Sequence, residues 1–155
     1  MTQHENRTDL ELAMSACEDT SAFIPLYHRY ADRIQRYIRS KVENQQDVED
    51  LTSMTFMRAL SKIETFDPGR GSFATWLFAI ARNVAKMHYR ARRPVHALHH
   101  SGTETATADM PDIQILQNER VTAMHAAMST LTTDQREALA LRYLGELSFA
   151  EVAAP

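Results

Sequence analysis

Apolar side chains recur at helical spacing through Phe73, Trp76, Leu77, Ile80, Ala81 and Val84, directly after a stretch that cannot be helical. That stretch is Asp67-Pro68-Gly69-Arg70-Gly71. Its proline presets φ, and its glycines permit backbone conformations that a Cβ would forbid. Ser72 follows, placed to cap a helix by accepting from its first free N–H groups. The stripe demands a helical core to receive it. The opposite face carries Arg82, Asn83, Lys86 and Arg90, and the end adds Arg92 and Arg93. Between positions 69 and 93 there are six Arg or Lys residues (70, 82, 86, 90, 92, 93) and no Asp or Glu, a local charge of +6 in a chain of net charge −3. A basic helix face beside a glycine-containing loop suits a nucleic-acid backbone with exposed bases. It also suits a solvated helix end, where cations complement the macrodipole and Phe73, Trp76 and Phe78 serve as core. Composition leaves both readings open.

Two further stripes precede it. Over 21–42, Phe23, Leu26, Tyr27, Tyr30, Ile34, Tyr37 and Ile38 keep helical intervals, with Pro25 in the first turn, where a missing N–H is tolerated. The tyrosines are read as core. Over 48–66, Val48, Leu51, Thr55, Ala59 and Ile63 form an inward face flanked by Phe56 and Leu60, and the first turn is acidic through Asp47, Glu49 and Asp50. Thr8 and Glu11 stand at capping-box spacing ahead of a shorter helix over 8–16. With only four glycines and few period-two runs, the chain is expected to be all-α.

After Arg93 the helical period is lost. Residues 94–112 are small, polar and turn-forming, with three acids and no Lys or Arg, and read as a flexible linker. Helical spacing resumes over 113–129 (Leu116, Val121, Met124, Met128) and again after the turn 131–135, where Leu139, Tyr143, Leu144 and Leu147 are the candidate core. Ser148 and Glu151 make a second capping box. His96, His99 and His100 have no Cys or carboxylate at ligand spacing, so no metal site and no cofactor are expected. No phosphate loop, nucleophile elbow or other catalytic constellation occurs, which argues against an enzyme. A single cysteine, Cys17, fits a reducing cytoplasm. The polar N-terminus is not expected to be a signal peptide, and no apolar run approaches the ~20 residues of a membrane span.

GSFATWLFAIARN, preceded by an acidic helix containing DVEDLTSMTFMRAL, closely resembles region 2 of bacterial RNA polymerase sigma factors of the small extracytoplasmic-function group. TDQREALALRYLGEL resembles the first half of their region 4. The resemblance implies two small helical domains: region 2 over 1–93 and region 4 over 113–155, joined by the linker. In the family the acidic helix docks on the clamp helices of the polymerase β′ subunit, which places Asp50, Ser53, Met54 and Met57 on that surface. The loop and the following helix read the −10 element as single strand, which implies DNA contact by Arg70, Ser72, Arg82, Asn83, Lys86, Arg90 and Arg93. The linker would run through the polymerase toward its active-site cleft. Region 4 is expected to stop short of the recognition helix of its helix-turn-helix, with part of the apolar face over 139–147 needing a cover.

Those expectations describe a cytoplasmic, non-catalytic subunit that binds core polymerase, opens promoter DNA at −10, and has an anti-sigma factor as a further partner. The alternatives are an interaction protein that docks on polymerase or an anti-sigma factor without selecting promoters, and a helix-turn-helix regulator that binds duplex DNA without polymerase. Retention by core polymerase separates the last from the others. Single-strand binding separates the first two.

Overall fold

The computed structural model of the chain describes residues 7–92 and 111–153, and among these it is helical with no strand. Helix α1 (Asp9–Ala16) starts from the expected capping box: Thr8 Oγ1 accepts from Glu11 N at 3.3 Å while Glu11 Oε2 accepts from Thr8 N at 2.8 Å. A single 3₁₀ turn, Thr20–Ala22, leads into α2 (Phe23–Arg39), whose third residue is Pro25. Helix α3 (Gln45–Ser61) is capped by Asn44, whose side chain accepts from Gln46 N and Asp47 N. A second 3₁₀ turn, Ile63–Thr65, and the loop then deliver α4 (Phe73–Arg92). Boundaries lie within a few residues of the sequence reading.

The three stripes meet in one core. Leu26, Ile34, Tyr37 and Ile38 from α2, Val48, Leu51 and Phe56 from α3, and Phe73, Leu77, Phe78 and Val84 from α4 are all buried. Two threonines are buried with them, their hydroxyls donating to the carbonyl one turn back (Thr52 to Val48 O and Thr55 to Leu51 O, both 2.7 Å), so neither polar group is left unsatisfied. Tyr30 and Tyr37 are core as expected, whereas Tyr27 is 43% exposed. Its position lies at the edge of a stripe wider than the face that three neighbouring helices cover. Helix α1 is tied on by Asp9, which pairs with Arg29 at 2.7 Å and accepts from the Tyr30 hydroxyl. Burial and that hydrogen bond push the Tyr30 phenol well above its usual range.

Residues 93–110 lie outside the described residues, and with them Arg93, His96, His99, His100 and the expected linker 94–112 except Pro111 and Asp112, which open a helix instead. Helix α5 (Pro111–Ser129) leaves Val121 and Met124 exposed. Helix α6 (Thr133–Leu139) opens on reciprocal bonds between Thr132 and Gln135, at 2.9 and 3.2 Å. Residues 138–153 share the core of residues 7–92. Their backbone passes through a π turn over Ala140–Leu144, closed by Gly145 N donating to Ala140 O at 3.0 Å. The four-residue helix α7 (Phe149–Val152) follows, started by the Ser148–Glu151 capping box. Leu147 lies inside the common core, with Ala140, Leu141 and Val152 packed against it. The apolar face expected to need a cover therefore has one, because so short a segment cannot bury its own apolar residues. Tyr143 corrects the sequence reading: expected in a core, it is 72% exposed.

Candidate nucleic-acid interface

The loop before α4 is held from both ends. Phe66 is buried against Phe73 and Trp76, with ring centroids 5.7 and 5.6 Å apart, which anchors its entry. Asp67 Oδ1 accepts from Gly69 N at 2.9 Å, and Asp67 O accepts from Arg70 N at 3.0 Å, closing a turn. Gly71 has φ 153°, which an L side chain rarely adopts, so this residue is required by the bend. Ser72 then caps α4 as expected, its Oγ accepting from Thr75 N at 3.2 Å. Arg70 is left exposed at the tip.

Along α4, Asn83, Lys86 and Arg90 are exposed and Arg82 is half-buried. Arg92 is engaged with Asp47, Nη1 to Oδ2 at 2.7 Å, with His88 Nε2 3.6 Å from the same oxygen. The last turn of α4 is thus clasped to the first turn of α3. On α3, Asp50, Ser53, Met54 and Met57 line one shallow depression with Arg58 and Ser61. Met54 is 40% and Met57 72% exposed, an apolar opening between polar neighbours.

Spacing could not show that residues 138–153 lie against this basic face. Arg33 Nε donates to Gly145 O at 2.8 Å, and Arg36 pairs with Glu146. Gly145 sits so close to the core that a Cβ would lie 2.8 Å from the Phe78 ring and 2.7 Å from Leu141 O. Beyond it, Ser72 Oγ donates to Glu151 Oε1 at 2.6 Å. A cavity of about 230 Å³ remains, lined by Thr75, Arg82, Asn83 and Lys86 on one side and Leu141, Leu147, Glu151 and Val152 on the other.

Burial alone would push the Glu151 carboxyl up, but hydrogen bonds from Ser72 and Ser148 outweigh it and hold the pKa below the usual 4.5. A depressed carboxylate contributes stability above its unfolded pKa and loses it as pH falls through the lower folded value. Glu151→Gln should therefore be less stable than the parent at neutral pH, and the gap should close as pH is taken below about 4. Thermal unfolding of both proteins against pH checks this. A gap that persists at the acid end would assign the effect to packing.

The family model for Sigma-70 region 2 matches residues 26–95, and that for Sigma-70 region 4 matches residues 122–154. The chain is 35% identical over 144 residues to the ECF RNA polymerase sigma factor BldN of Streptomyces coelicolor, covering 87% of this chain and 52% of BldN, about half its length. It is 31% identical over 134 residues to the ECF RNA polymerase sigma factor SigX of Bacillus subtilis, covering 83% of this chain and 69% of SigX. Among solved structures, that of CnrH in complex with the cytosolic domain of CnrY superposes with a TM-score of 0.63 at 28% identity, covering 94% of this chain and 80% of that one. The chain belongs to the extracytoplasmic-function sigma factors of the sigma-70 family.

Proposed function

We propose that this chain docks on core RNA polymerase and directs it to promoters by capturing the −10 region as single-stranded DNA, a non-catalytic role. Residues 1–93 serve as region 2 and residues 113–155 as region 4. Asp50, Ser53, Met54 and Met57 meet the β′ clamp helices. Arg70 and Ser72 shape base capture, and Arg82, Asn83, Lys86, Arg90 and Arg93 follow the backbone. The observation that carries this reading is the exposed run Asn83, Lys86 and Arg90, which extends α4 away from a glycine-shaped loop that presents Arg70. Extruding a base costs a few kcal/mol of stacking, which such a loop and phosphate contacts can offset. The complex of CnrH with the cytosolic domain of CnrY supports a protein partner as well, here an anti-sigma factor.

Phosphate contacts supply affinity without sequence information, so the two residue sets should fail differently. With core polymerase present, Lys86→Ala or Arg90→Ala should weaken binding of all single-stranded oligonucleotides by similar factors and lower the salt slope by about 1. Arg70→Ala should change base preference and leave that slope alone. The loop is best probed at Arg70, because changing Ser72 also cuts its bond to Glu151. Reversed behaviour would exchange the two roles. Indifference of both sets would favour an interaction protein that selects no promoter.

A further inference from the structure

Three methionines stand in the open around one guanidinium. Met54 and Met57 line the depression on α3 together with Arg58, which follows Met54 by one helical turn. Arg58 also reaches across to α4, where its Nη1 lies 3.2 Å from Sδ of Met87, itself 53% exposed. A thioether is a weak acceptor for so strong a donor. Among the described residues Arg58 forms no ion pair that would hold it elsewhere. None of the three methionines belongs to the buried core. Their sulfurs can therefore change chemically without opening a cavity or burying a new polar atom in the fold.

That change is oxidation. A lone pair of Sδ attacks one oxygen of hydrogen peroxide, and the O–O bond breaks. The proton left on the sulfur-bound oxygen passes to the departing hydroxide, giving a sulfoxide and water. Sulfur gives up two electrons and the peroxide takes them. The flexible apolar side chain becomes a polar, chiral one, and enzymatic reduction returns it. Resting on the polymerase-docking reading above, we infer that Met54, Met57 and Met87, joined through Arg58, are a site of reversible oxidation by hydrogen peroxide, and that the sulfoxide form releases the chain from core polymerase.

The two helices contribute differently. On α3, docking would bury the sulfoxide oxygens of Met54 and Met57 against a surface that suits thioethers, and a buried acceptor without a partner costs several-fold in affinity. On α4, the Met87 sulfoxide would take a charge-assisted hydrogen bond from Arg58 in place of the weak one to sulfur. That bond draws the guanidinium toward α4 and away from the depression. Met14 and Met124 are also exposed but lie outside this depression, so they oxidise alongside as internal controls.

The test uses the full chain in a Cys17→Ser background, which removes the exposed thiol. The chain is treated with hydrogen peroxide, freed of it by gel filtration, and only then titrated into untreated, labelled core polymerase. Binding should weaken about tenfold or more with helicity unchanged by circular dichroism. Methionine sulfoxide reductases A and B together should restore it, both being needed because each reduces one epimer. A partly oxidised sample is next offered to a limiting amount of polymerase, and peptide mass spectrometry compares bound with free chains. The bound fraction should be depleted of sulfoxide at Met54, Met57 and Met87, and should carry that at Met14 and Met124 undiminished. Arg58→Ala should speed enzymatic reduction of the Met87 sulfoxide several-fold and leave that of Met57 alone; equal rates with and without Arg58 would overturn its part. Undiminished binding with all three sulfurs oxidised, or depletion spread evenly over all five positions, would overturn the inference and leave the docking face standing. No binding by the untreated chain would overturn the docking reading and this inference together.

Discussion

Replacing Phe78 with alanine should lower the unfolding free energy by about 3–5 kcal/mol, a large part of the roughly 5–15 kcal/mol that holds a domain together. Phe78 is 2% exposed, its ring stands edge-on to Tyr37 with centroids 5.5 Å apart, and it forms the floor under Gly145. The loss therefore has two parts: a cavity between α2 and α4, and the seat of residues 145–147. Urea unfolding should show the lower midpoint, and hydrogen exchange at Leu147 N, which donates to Leu141 O at 3.1 Å, should quicken beyond the global change. A loss below about 1 kcal/mol would mean that the neighbours collapse into the space.

Lysine at both Met54 and Met57 should weaken binding to core polymerase by about 2 kcal/mol or more, roughly thirtyfold, the scale of a central interface anchor. Both side chains are exposed and line the same depression on α3, so folding should change by no more than about 0.5 kcal/mol. Titration of labelled polymerase with the parent and the double variant, alongside thermal unfolding, separates the two effects. Unchanged affinity would remove this face of α3 from the proposed contact.

What could be read from the sequence divides along the distance between interacting residues. Helices α2, α3 and α4 follow from apolar periodicity, and both capping boxes, Thr8 with Glu11 and Ser148 with Glu151, follow from a spacing of three. The cap of Ser72 on α4 was equally local. The clasp of Arg92 on Asp47, the hold of Arg33 on Gly145, and the bond from Ser72 to Glu151 span 45, 112 and 79 positions, and no local spacing encodes them. Glu151 shows the limit well. Its role as a cap was legible, and its second bond, to the proposed DNA loop, was not. Tyr143 failed for a related reason: periodicity counts it with Leu147, but the π turn over Ala140–Leu144 shifts the helical phase before Leu147 is reached.

The aromatic anchor of the loop also gives this protein an optical reporter. Trp76 is the only tryptophan in the chain, half-buried with its ring 5.6 Å from Phe66 and 5.7 Å from Phe73. Phe66 is the residue from which the Asp67 turn departs, so a loop that reshapes to admit a base must disturb the wall beside the indole. Intrinsic emission, excited selectively over the five tyrosines, would then follow that rearrangement in the unlabelled chain, on a timescale that equilibrium binding does not resolve.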